Sequence, residues 1–143
     1  MTQQLADIEA CRSLILEFAA RIDQGLTHTL GELLTADASF ARPTMPDVVI
    51  QGREAILAAF AARPKHLVSH HLNLNIRIRL TGADTAEGHS VVMLFLANAN
   101  DELVPGKGRP AGAPLLGTWT DSFVRTAEGW RFKERRGAAT MHT

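Results

Sequence analysis

The sequence predicts an α+β fold in which one curved sheet is covered on one face by helices. Three observations predict it. Apolar residues in the first third recur at helical spacing. From His66 onward the pattern changes to a period of two. Tight turns then divide the second half, as a meander of antiparallel strands requires. At 143 residues the chain is expected to form a single domain, 1–143, large enough to bury a core without a disulfide or metal staple.

Each element follows in order. Ile8, Cys11, Ile15, Phe18 and Ile22 share one face of a first helix, with Asp7, Glu9 and Glu17 pointing elsewhere. Asp23-Gln24-Gly25 ends it, because Gly25 suits the left-handed cap. A short second helix carries Leu26, Leu30, Leu33 and Leu34 as its stripe. Ser39–Arg42 and Val48–Gln51 read as short strands around a Pro43–Pro46 turn. Gly52–Ala62 is a third helix with Ile56, Leu57 and Phe60 inward, closed by Pro64. In the next segment Val68, Leu72, Leu74, Ile76, Ile78 and Leu80 share one strand face. Ser69, His71, Asn73, Asn75, Arg77 and Arg79 share the other. Ala86–Asn98 is a strand that is apolar on both faces from Val91 to Ala97. One face packs on the helices. The other calls for a second subunit, so a homodimer is expected. Residues 98–114 form a long Gly- and Pro-rich loop, a cover for a pocket or a segment that swaps onto the partner. Leu115–Arg125 and Trp130–Arg136 are the last strands, joined by Ala127-Glu128-Gly129.

Composition excludes several functions. Fifteen basic residues balance fifteen acidic ones, so no nucleic-acid partner is expected. The single cysteine, Cys11, can supply neither a disulfide nor a Cys-based metal site, and it reads as core. The apolar run Val91–Ala97 is too short to span a bilayer, so no membrane partner is expected. MTQQLADIEA has no basic n-region or apolar h-region, so no signal peptide is expected and the setting should be cytoplasmic. Gly106, Gly108 and Gly112 lack the strand–turn–helix context of a phosphate cradle. Neither a cofactor nor a metal is expected.

A family likeness rests on motifs in a fixed order. These are Ile22-Asp23-Gln24-Gly25, then Leu33-Leu34-Thr35-Ala36-Asp37-Ala38, then Gly52-Arg53-Glu54-Ala55-Ile56 and Lys65-His66-Leu67-Val68. Gly117-Thr118-Trp119-Thr120-Asp121 and Gly129-Trp130-Arg131-Phe132 complete the set. From about Ile8 to Arg136 the chain resembles the SnoaL-like proteins of the NTF2-like superfamily. The resemblance implies a cone, with a curved mixed sheet and three helices around a deep apolar pocket, often in a homodimer. It implies as function a cofactor-free lyase or isomerase, dehydratase-like, on a small apolar substrate bearing a carbonyl or hydroxyl. Polyketide-, steroid- or aromatic-derived compounds fit that description. Other members are small subunits of ring-hydroxylating dioxygenases or have no known reaction. A non-catalytic ligand-binding or dimerisation module is therefore a second reading, and a dioxygenase small subunit a third.

In the dehydratases resembled, an aspartate ending helix one pairs with a histidine opening the long strand. Asp23 and His66 occupy those motif positions and are the expected catalytic pair. His66 has the parity of Val68 and Leu72, so in the absence of a bulge it points inward. Asp23 sits at a helix C-terminus, where the dipole disfavours a carboxylate and a partner is needed. Such a pair serves as general base and orienting group. The alternative is that Asp23 caps the turn and His66 is a satisfied core histidine. His70 is expected deeper in the pocket, about 13 Å along the strand from His66, or at the sheet rim. His71 should point outward, and His89 should lie on a surface or dimer face. Trp119, Asp121, Phe18, Ile22 and Phe60 complete the expected pocket. Asp121 alternatively pairs across strands with Arg131 or Lys133. The chain contains no tyrosine, the oxyanion donor of the dehydratases resembled. That role falls to His70, Trp119 or a water.

Overall fold

The computed structural model describes residues 2–142. Helix α1 spans Gln3–Asp23, and the Thr2 hydroxyl caps it by accepting the Leu5 N–H. Cys11, Leu14, Ile15, Phe18 and Ile22 form its buried stripe, as helical spacing requires. Asp7 does not point elsewhere as expected. It lies on the same stripe, buried, and its carboxylate accepts two hydrogen bonds from Arg125 at 2.8 and 2.7 Å and one from Trp130 Nε1 at 3.1 Å. The Arg125 donors, helped by Trp130 and Gln3, hold this carboxyl well below the usual carboxylate range. Spacing alone cannot distinguish a buried ion pair from a solvated face. Cys11 is core, and burial pushes its thiol up to about 12.

Gly25, at φ +75°, turns the chain out of α1, and the Leu26 N–H bonds back to the Arg21 carbonyl. The second helical segment is a 3-10 helix, Thr27–Leu33, which buries Leu30 and Leu33. Strand β1, Leu34–Ala41, begins earlier than the sequence signals and runs through the expected strand, while β2 is only Ile50–Gln51. Helix α2, Arg53–Ala61, buries Ile56 and Phe60. The long strands follow: β3 Leu67–Leu80, β4 Thr85–Asn98, β5 Leu115–Thr126 and β6 Gly129–Met141.

These six strands form one sheet in the order β2-β1-β6-β5-β4-β3. All neighbours are antiparallel except β1 and β6, which pair in parallel and make the sheet mixed. The core lies between the helices and the inner face. There Phe18 packs 5.9, 5.7 and 5.6 Å from the ring centres of Phe40, Phe60 and Phe132. The outer face carries its own apolar rows. Leu72 is paired with Met93 and Met93 with Leu116, while Leu74 is paired with Val91 and His70 with Phe95. Paired residues share a face, and Leu72 and Leu74 remain 40% and 39% exposed.

Candidate active site

Strand β3 changes face in its middle. Leu74 pairs with Val91 but Arg77 pairs with His89, so Asn75 and Ile76 together oppose Ser90. Asn75 takes φ +51°, the left-handed conformation that asparagine tolerates better than most residues. Beyond this bulge Ile76, Ile78 and Leu80 pack on the core, as their parity predicts. Before it the parity reverses, so Leu67, Ser69, His71 and Asn73 turn toward the helices.

The reversal corrects the expected partner of Asp23. His66 lies exposed in the turn before β3, with its carbonyl accepting the Ala99 N–H at 2.7 Å. His70 is exposed on the outer face opposite Phe95. His71, expected to point outward, is the histidine that meets Asp23. Its Nδ1 lies 2.6 Å from Asp23 Oδ1, and its backbone N–H donates to Oδ2 at 2.8 Å. The Ser69 hydroxyl donates to Oδ1 at 2.7 Å, and Arg63 Nη2 donates to that hydroxyl at 2.8 Å. Burial raises the Asp23 pKa, but the bonds from His71 and Ser69 outweigh it and leave the carboxyl below its ordinary value. Asp23 is therefore an ionised anchor, and the C-terminal dipole it opposes is offset by these donors.

His71 opens onto a cavity of about 470 Å³, a size that takes a small organic molecule. Phe18, Ile22, Phe60 and Trp119 line it. Asp121 does not. It is 1% exposed behind the wall, paired directly across the strands with Arg135 rather than Arg131 or Lys133. The bulge between Ser122 and Phe123 shifts the register and brings Arg135 opposite. Arg135 Nε donates to Asp121 Oδ1 at 3.0 Å. Burial pushes the Asp121 carboxyl up to about 6 against the pull of Arg135.

Arg135 itself is the site residue that sequence reasoning missed. It lines the cavity although only 2% exposed, with its guanidinium 4.2 Å from the Trp119 ring centre and 4.9 Å from that of Phe18. Its Nη2 has no hydrogen-bond partner among the described residues. An arginine in a run of charged residues, Lys133-Glu134-Arg135-Arg136, carries no mark of burial. Arg42, Arg63 and Asn73 also line the cavity, and so does Ala113 from the 99–114 loop, which folds back so that Ala111 bridges Ala97.

A family profile described as a SnoaL-like domain matches residues 3–136. No curated protein matches the chain by sequence. Among solved structures, a candidate scytalone dehydratase from Novosphingobium aromaticivorans is 23% identical with a TM-score of 0.81, over 98% of this chain and 88% of that one. A hexachlorocyclohexane dehydrochlorinase, LinA type 2, is 18% identical with a TM-score of 0.79, over 98% and 89%. An NTF2-like protein with a cystatin-like fold, also from N. aromaticivorans, is 24% identical with a TM-score of 0.71, over 96% and 84%. These likenesses establish the architecture as the NTF2-like α+β cone.

Proposed function

The chain belongs to the SnoaL-like domain family, and from that premise we propose that it is a lyase or isomerase, dehydratase-like, acting on a small apolar substrate in the cavity. The observation that carries this reading is the Asp23–His71 pair at the cavity wall, 2.6 Å between Oδ1 and Nδ1. With His71 neutral, Asp23 fixes the proton on Nδ1 and leaves Nε2 as the free, basic nitrogen. Nε2 takes a proton from a substrate carbon next to an activating group. Its return to a leaving hydroxyl gives elimination, and its return to another carbon gives isomerisation. Arg135 fills the role left open by the missing tyrosine, since a preorganised cation in an apolar wall stabilises developing negative charge. The structures resembling this chain include proteins whose names carry dehydratase and dehydrochlorinase activity, which supports elimination chemistry. The same reading has two copies associating through the outer sheet face.

The test is exchange of substrate carbon-bound hydrogen in D2O, followed by NMR across a panel of small β-hydroxy ketones and enones. Asp23→Asn and His71→Ala should each lower exchange or turnover by about 10²–10⁴-fold, while His66→Ala leaves it unchanged. Loss of activity in His66→Ala with full activity in His71→Ala would overturn the assignment.

A further inference from the structure

The charges around the cavity do not cancel. Three guanidinium groups line it, from Arg42, Arg63 and Arg135, and no acidic side chain among the described residues does. Two of the three are answered from behind the wall. Asp121 pairs with Arg135. Asp23 reaches Arg63 through the shared Ser69 hydroxyl and also bonds to His71. Arg42 has no carboxylate partner among the described residues. Its guanidinium sits 5.2 Å over the Phe60 ring and 5.9 Å from Phe40, and its one hydrogen bond is a long one, 3.4 Å, to the Ala59 carbonyl. The chain as a whole is neutral, so this surplus belongs to the cavity.

We infer that the substrate of this cavity is an acid: an apolar molecule bearing one carboxylate, which Arg42 reads from the stretch of wall it shares with Pro43 and Thr44. A guanidinium fork matches a carboxylate in shape and charge, and the buried rings of Phe40 and Phe60 beneath it lower the local dielectric and strengthen the pair. Of the three guanidinium groups, only that of Arg42 lacks a carboxylate behind it among the described residues, and one unanswered positive charge suits a monoanion. The flat aromatic seat also holds the guanidinium in place before the ligand arrives, which lowers the ordering cost of binding.

The inference rests on the cavity being the substrate site of the proton transfer proposed above, yet it is tested by binding alone. Phenylacetate, cyclohexanecarboxylate and 1-naphthylacetate would be titrated against their uncharged amides by calorimetry at pH 7.5. At least one acid should bind about ten- to a hundredfold more tightly than its amide, the range of a charge-assisted pair. Arg42→Gln should remove that preference and leave amide binding unchanged, while Arg42→Lys restores part of it. Asp23→Asn should keep the preference, which separates failure of the catalytic reading from failure of this one. Equal binding of acid and amide, a preference that survives Arg42→Gln, or no binding by any of the acids overturns the inference.

Discussion

Asp121 and Arg135 are each almost wholly buried, and each leaves one polar atom, Oδ2 and Nη2, without a partner among the described residues. Desolvating two charges is costly, and one 3.0 Å bond offsets it only in part. The aromatic rings of Trp119, Phe18 and Phe132 around the guanidinium supply a further part. A pair so incompletely satisfied is weak evidence for stability and stronger evidence that Arg135 is kept for its charge at the cavity. This separates two variants. Asp121→Asn leaves the guanidinium buried without a counter-charge and should cost about 3–5 kcal/mol, read from urea unfolding. Asp121→Leu with Arg135→Met replaces both groups by apolar ones of similar volume and should recover most of that loss. It should also abolish activity, because the cation is gone. A double variant no more stable than Asp121→Asn would mean the pair stabilises the fold outright.

Strand β3 is where sequence and structure part, and the reason is local. Its apolar residues fall on even positions from Leu72 to Leu80 without a break. The bulge at Asn75 sends Leu72 and Leu74 to one face and Ile76, Ile78 and Leu80 to the other. The apolar residues lie on the outer face before the bulge and on the inner face after it, so the alternation in sequence continues through the reversal and conceals it. The helix α1 stripe, the 3-10 segment, helix α2 and the four long strands were legible because each depends on local periodicity and on turns such as Gly25 and Gly129. The parallel pairing of β1 with β6 was not, because it joins residues nearly a hundred positions apart, such as Phe40 and Arg135. Asp23 was legible as one half of a pair because a carboxylate at a helix C-terminus needs donors. Its partner was misassigned because the parity of His66 was carried through Asn75. The left-handed φ of +51° makes the bulge testable. Asn75→Val puts a β-branched side chain in that conformation and should cost about 1–2 kcal/mol. Asn75→Gly should be close to neutral. Because the bulge sets the face of His71, Asn75→Val should also lower activity beyond what its stability loss explains. An Asn75→Val protein as stable as the wild type would show that β3 does not depend on this conformation.

The outer sheet face is where the proposed association of two copies can be tested. Val68, Leu72 and Leu74 on β3, Val91, Met93 and Phe95 on β4 and Leu116 on β5 make contiguous apolar rows across three strands. Large contiguous apolar areas on a folded surface mark association sites, and a chain with fifteen charges of each sign has no net repulsion to keep copies apart. Light scattering at about 50 µM should therefore give twice the 15.6 kDa chain mass, and the unfolding midpoint should rise with protein concentration. Leu72→Glu places a carboxylate in the middle row, beside Met93, and should give a monomer. Leu72 sits on the face opposite His71, so this monomer should still bind cavity ligands with the affinity of the wild type. That result would show that the sheet holds two independent faces, one for association and one for the site. Wild-type protein that stays monomeric and is unaffected by Leu72→Glu would leave the bulge as the sole reason for the outward turn of Leu72 and Leu74.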